Sequence, residues 1–145
     1  MLPRGAAEAT GATTRVSVSS SGTEANENST TPAITLDGRF VAFESFASNI
    51  VAGDTNSVSD IFLRDRQTGT TSRVTFDSAG NQTNGDSGEP ALSADARFVA
   101  FSSIASDLVA GDTSYFDVFV RDRQAGTNTR VSVDSDGNQG NDGND

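Results

Sequence analysis

The 145-residue chain carries ten Arg, no Lys, no His and twenty acidic residues, for a net charge of −10 at neutral pH. An acidic chain without a basic cluster argues against nucleic acid and anionic membranes as partners, and the absence of Cys excludes disulfides and thiolate chemistry. Hydrophobic residues make up 34% and are mainly β-branched residues, Phe and Ala. No stretch keeps an i, i+3, i+4 apolar period, so the expectation is an all-β chain with essentially no helix.

In chain order, residues 1–12 hold neither a signal-peptide apolar core nor a membrane span and read as a flexible N-terminal segment. Arg15-Val16-Ser17-Val18, within 13–19, reads as an outer strand or clasp. A first unit, 31–77, offers four strands: Ala33–Leu36 after a proline, Arg39–Ser45 with apolar residues on both faces, Asp60–Asp65, and Ser72–Phe76. A second unit, 89–133, offers Ala91–Ala94, Arg97–Ser103, Asp117–Asp122 and Thr129–Val133. Residues 134–145 are almost all Asp, Asn, Gly and Ser and read as a flexible acidic tail.

The two units are copies. Pro32-Ala33-Ile34 through Arg39-Phe40-Val41-Ala42-Phe43 returns as Pro90-Ala91-Leu92 through Arg97-Phe98-Val99-Ala100-Phe101, and Val51-Ala52-Gly53-Asp54-Thr55 as Val109-Ala110-Gly111-Asp112-Thr113. Nine of the ten Arg occupy repeat-equivalent places, which marks them for structural ion pairs or stem packing. Leu36-Asp37-Gly38-Arg39 and Arg66-Gln67-Thr68-Gly69-Thr70 are tight turns with Gly at positive-φ positions. Ala96 replaces Gly38 in the second copy, at a cost of about 1 kcal/mol where that φ is positive. The remaining linkers, Phe46–Ser59 and Asp77–Glu89, are long. A four-stranded meander repeated head to tail with this period is the pattern of a β-propeller blade. Its connections alternate ends, so the tight turns share one face and the long loops share the other.

Pro90-Ala91-Leu92-Ser93-Ala94-Asp95, then Arg97-Phe98-Val99-Ala100-Phe101-Ser102, Asp117-Val118-Phe119-Val120-Arg121-Asp122 and Arg130-Val131-Ser132, resemble the TolB-like β-propeller repeat. The resemblance covers roughly residues 13 to 140. It implies blades whose first strand lines a central channel, a role as an interaction platform, and a periplasmic or extracellular bacterial setting. Family members usually carry about six blades, whereas this chain carries two. Two blades leave apolar sheet faces open to water, so the expected assembly is a homo-oligomeric ring, a six-bladed trimer ahead of an eight-bladed tetramer.

Asp54-x-Asn56-x-Val58-x-Asp60 spaces oxygen donors like the start of a calcium loop, and Asp112 and Asp117 are the shorter second copy. The loop lacks the Gly and the bidentate Glu that complete such sites. The competing reading makes Asp54 and Asp112 turn caps, with Asp60 and Asp117 paired to Arg. Asp134-x-Asp136-Gly137-Asn138 has a similar look but does not recur. With no His and no Cys, enzyme chemistry is poorly supplied. The surviving catalytic alternative is a calcium-dependent hydrolase of phosphotriesters or lactones, using the metal to polarise substrate. The leading reading is a binding module that holds Ca2+ on its long-loop face and receives a peptide, protein or small molecule there. Asn84, Asp86, Tyr115 and Phe116 are its candidate contacts.

Overall fold

A computed structural model describes residues 11–140, in which every regular element is a strand. The strands are β1 (Ser29–Ile34), β2 (Phe40–Ser45), β3 (Asp60–Asp65), β4 (Thr70–Arg73), β5 (Ser87–Leu92), β6 (Phe98–Ser103), β7 (Asp117–Asp122) and β8 (Thr127–Arg130). They form two antiparallel meanders, β1-β2-β3-β4 and β5-β6-β7-β8. Register is the same in both: Phe40 to Ser45 faces Asp65 to Asp60, and Phe98 to Ser103 faces Asp122 to Asp117. Among the described residues no helix is long and apolar enough to cross a membrane.

The inner strands start earlier than expected, at Ser29 and Ser87. A bulge between Thr30 and Ala33, repeated between Gly88 and Ala91, carries Pro32 and Pro90 past the ladder, where a missing N–H does no harm. The bulge holds Thr31 at φ 47° and Glu89 at φ 55°, a left-handed conformation that non-glycine residues seldom adopt.

The outer strands end earlier, at Arg73 and Arg130. Val74 N still donates to the Ile61 carbonyl at 2.7 Å, but Ile61 N donates to Thr75 Oγ1 at 3.3 Å. In the second meander, Val118 N of β7 likewise donates to Ser132 Oγ, just beyond β8, at 3.1 Å. A side-chain hydroxyl replaces the next ladder carbonyl, and the backbone is free to turn away.

The stretch Arg15–Val18 is in no sheet. Its one pairing is a bridge from Val18 to Glu24, matched by Phe76 to Gln82 and Val133 to Gln139. The expected clasp is therefore a hairpin, and it lies on its own first blade: Thr71 Oγ1 donates to the Val18 carbonyl at 2.7 Å and Arg64 Nη1 to that of Ser19 at 3.2 Å. The third hairpin orders the start of the expected tail. Asp134 Oδ1 accepts from Asp136 N at 2.9 Å and Asn138 N at 2.8 Å. Residues 1–10 of the expected N-terminal segment and 141–145 of the tail lie outside the described residues.

The principal core is the joint between blades. One face of blade 1 (Ala42, Ile61, Leu63, Val74) packs on the near face of blade 2 (Val99, Phe101, Phe119) and its loop residues Ala105 and Leu108, all buried. Blade 1's other face forms a second cluster of Phe43, Phe62, Ala47 and Ile50. At the tight turns, Arg39 Nε and Nη2 donate to both oxygens of Asp65 at 3.0 and 2.7 Å, and Arg97 repeats this with Asp122. These forks draw both carboxyls below the usual range, Asp122 to about 2. Ala96 does sit at positive φ, 57°, yet its methyl is fully buried in the inter-blade core. Burial of one methyl returns about 0.8 kcal/mol, close to the backbone cost.

Candidate functional site

The long loops leave β2 at Ser45 and enter β3 at Asp60, while the interblade segment enters β5 at Ser87, so all three open on one face. Ser45 Oγ donates to the Asn28 carbonyl at 2.9 Å and accepts from Ala47 N at 3.1 Å. Ser103 does the same with the Asp86 carbonyl and Ala105 N, at 3.0 and 3.1 Å. These hydroxyls pin each loop to its inner strand. Asp86 Oδ1 accepts from Ser59 N at 2.8 Å, tying the loop of blade 1 to the start of blade 2.

Between the inner strands the face opens into a cleft of about 480 Å³, lined by Glu44, Phe46, Ser59, Asp86, Ser87, Gly88, Glu89, Ser102 and Phe116. Three of these are carboxylates and none is Arg. Phe116 is 73% exposed and Phe46 50%, so two aromatic faces stand open beside the acids. In blade 1, Thr31 Oγ1 donates to Glu44 Oε2 at 3.0 Å; in blade 2, Ser102 Oγ donates to Glu89 Oε2 at 3.3 Å. Acid and hydroxyl have exchanged strands between copies, so each blade keeps one carboxylate at the same level. Gly88 makes room for this: a Cβ there would stand 2.7 Å from Glu44 Oε2. The left-handed Thr31 and Glu89 lie on the same inner strands, and such strain concentrates where a fold re-aims side chains for binding.

Of the residues singled out for the ligand face, Asp86 and Phe116 line the cleft. Tyr115 is exposed but is not among its lining residues. Asn84 is engaged in packing: its Oδ1 accepts from Ser106 N at 2.9 Å and its Nδ2 donates to Ser106 Oγ at 3.0 Å. Asn26 makes the same pair of bonds to Ser48 in blade 1, so this is a feature of the scaffold. Sequence reading missed Glu44, Phe46, Gly88, Glu89 and Ser102. A signal existed: Glu44 aligns with Ser102, Phe46 with Ile104, Ser59 with Phe116, Gly88 with Thr30 and Glu89 with Thr31. Apart from Ser87, which matches Ser29, the cleft is lined where the two copies differ.

The acidic loop residues have a different role. Arg73 Nη2 lies 2.7 Å from Asp54 Oδ1 and 3.5 Å from Asp60 Oδ2, with all three side chains at most 6% exposed. Thr75 Oγ1 donates to Asp60 Oδ1 at 2.5 Å and Asn56 Nδ2 to its Oδ2 at 3.1 Å. Blade 2 repeats the arrangement, with Arg130 Nη2 at 2.5 Å from Asp112 Oδ1 and Nε at 3.7 Å from Asp117 Oδ2. Burial pushes the Asp60 and Asp112 carboxyls up despite the guanidinium beside each. As folded, these loops do not suit calcium. An Arg already sits between each pair of carboxylates, Asn56 presents its amide nitrogen, and Val58 is a neighbour through its N–H to Asn56 Oδ1 at 3.5 Å. Among the described residues two buried side-chain oxygens, Asp112 Oδ2 and Thr83 Oγ1, have no protein partner, against the six to eight that a hard cation takes. Among the described residues no group of three or more carboxylates is placed to hold a metal. The turn at Asp134 is likewise closed by its own backbone, and Asp77 forms the same turn.

No protein-family model and no curated protein matches the chain. Among solved structures it is similar to "putative TolB from Agrobacterium tumefaciens", at 20% identity and a TM-score of 0.51 over 76% of this chain and 32% of that one. It is also similar to TolB from Acinetobacter baumannii, at 25% identity and a TM-score of 0.46 over 72% of this chain and 21% of that one. The chain thus spans about a third or less of the length of these structures. The fold is that of a TolB-like β-propeller, represented by two consecutive blades.

Proposed function

We propose that the chain is a propeller interaction module whose long-loop face binds an extended, basic segment of a protein partner in the inter-blade cleft. The observation that carries this is the convergence of Glu44, Asp86 and Glu89 with the exposed rings of Phe46 and Phe116 in one open cleft that has no counter-cation among the described residues. An Arg or Lys laid there covers the rings with its stem and places its head against the carboxylates. The Asp54 and Asp112 loops are held by Arg, so the calcium-dependent hydrolase reading has no support from their geometry. Self-association belongs to the same proposal: three chains supply six blades and set several clefts around one axis. A bacterial periplasmic or extracellular setting is proposed on the fold resemblance.

The test is fluorescence anisotropy with labelled Arg-rich, Lys-rich and acidic peptides of equal length. The basic peptides bind, and binding weakens as salt is raised. Phe116→Ala and Glu89→Gln each reduce affinity about tenfold. Equal binding of acidic peptides, or affinity untouched by both substitutions, overturns the reading.

A further inference from the structure

Each blade offers the next one the same face. In blade 1, Ile61 and Val74 are 0% and 1% exposed because Val99, Phe101, Phe119, Ala105 and Leu108 of blade 2 cover them. In blade 2 the equivalent Val118 and Val131 are 42% and 47% exposed. The surface that covers this face has its counterpart in blade 1 in Val41, Phe43, Phe62, Ala47 and Ile50, which the single chain already holds at 5% exposure or less, with Ala25 and Val51 packed against the cluster. Even the ring stacking matches, with Phe43 and Phe62 at 5.8 Å and 28°, and Phe101 and Phe119 at 6.0 Å and 28°. A second copy of this chain, presenting its first blade, therefore continues the inter-blade joint already built inside the molecule.

The joint also needs a hairpin. Within the chain, the hairpin at Phe76–Gln82 crosses onto blade 2, where Asn128 Nδ2 donates to the Phe76 carbonyl at 2.7 Å and Arg121 Nη1 to that of Asp77 at 3.5 Å. Blade 1 has the same slot, but the chain's own Val18–Glu24 hairpin fills it, adding Thr71 N to Ser20 Oγ at 2.9 Å. The third hairpin, Val133–Gln139, has no slot among the described residues. Two hairpins thus compete for one slot wherever two copies meet. The third is closed by a charged acceptor: Asp134 accepts two backbone N–H groups and the Asn138 side-chain amide, whereas the first is closed by neutral hydroxyls, Ser19 Oγ accepting one backbone N–H from Thr23 at 3.1 Å and bonding Ser21 Oγ at 2.8 Å. Among the described residues Arg15 has no counterpart of the two Asp that Arg73 and Arg130 hold, and it pairs on the surface with Glu24.

We infer that the Val18–Glu24 hairpin is a self-held plug, and that head-to-tail association of copies proceeds by exchange, the Val133–Gln139 hairpin of one copy displacing it from the next. This deepens the self-association part of the proposed function and is independent of the cleft. Gly22 and Gly137 hold the corresponding turns at φ 87° and 83°, so a β-branched residue weakens one hairpin at a time.

Sedimentation equilibrium of the full chain over a wide concentration range tests it, with circular dichroism confirming folded variants. Wild type gains mass with concentration. Gly22→Val, and independently Ser20→Ala, lower the concentration needed for association about tenfold. Gly137→Val raises it, and Val118→Asp abolishes association. A 15.0 kDa species at every concentration for wild type and for both plug variants overturns the inference. So does association that Gly137→Val leaves unchanged. Loss of peptide binding with these masses intact strikes the cleft alone.

Discussion

Arg73→Ala is the sharpest probe of how the acidic loops are built. Arg73, Asp54 and Asp60 are respectively 4%, 6% and 0% exposed at the side chain, so removing the guanidinium strands two carboxylates in a dry site. Breaking a buried ion pair from one side costs about 3–5 kcal/mol. A domain of this size holds about 5–15 kcal/mol in all, so the variant loses roughly a fifth or more of its stability. The assay is urea unfolding followed by circular dichroism, where the midpoint falls while the slope against denaturant is unchanged. The double variant Arg73→Ala/Asp54→Asn recovers part of the loss, since one uncompensated charge is gone. A cost below about 1 kcal/mol for Arg73→Ala refutes the reasoning, because it means the triad is solvated. The same series separates arginine from calcium. Wild-type melting is indifferent to calcium and chelator, and stabilisation of wild type by calcium contradicts the account of these loops.

Three further outcomes are expected. Asp122 is held at about 2 by Arg97; its carboxyl is lowered, so its contribution is present above about pH 4 and lost as pH falls toward 2. Arg97→Ala removes that contribution and shifts acid unfolding to higher pH, read from a pH titration of ellipticity. Gly85→Ala drives a methyl to 2.8 Å from the Ala105 backbone, so the melting temperature drops by an amount equivalent to about 1–3 kcal/mol. Ala96→Gly changes stability by less than about 0.5 kcal/mol, because relief at positive φ is offset by the lost buried methyl.

The blade plan was legible because two independent signals agree: β-branched and aromatic runs of strand length in each copy, and Gly at three of the four tight turns, with Ala96 at the fourth. The middle strands, β2 with β3 and β6 with β7, pair as their apolar patterns require. The outer strands were misjudged for a reason that patterning cannot show. Val74-Thr75-Phe76 alternates like a strand, but Thr75 bonds through its hydroxyl and ends the ladder. The inner strands were cut short because a proline usually marks a strand start, whereas here a bulge absorbs it. Of the four residues expected on the ligand face, Asp86 and Phe116 line the cleft. Glu44 and Glu89 were not legible, because their meeting depends on the packing of β1 and β2 against β5. Asp54 and Asp60 are spaced for a cation, and the cation that the fold places beside them is Arg73, thirteen or more residues on.

The central claim is that the long-loop cleft is where a partner binds. Backbone amide shifts of the isotope-labelled full chain, recorded while an Arg-rich peptide is titrated in, test it most directly. The account predicts shifts confined to Phe46, Asp86–Glu89, Ser102 and Phe116, saturating together. Shifts centred on the tight turns at Gly38, Gly69 and Gly126, or none at all, contradict it.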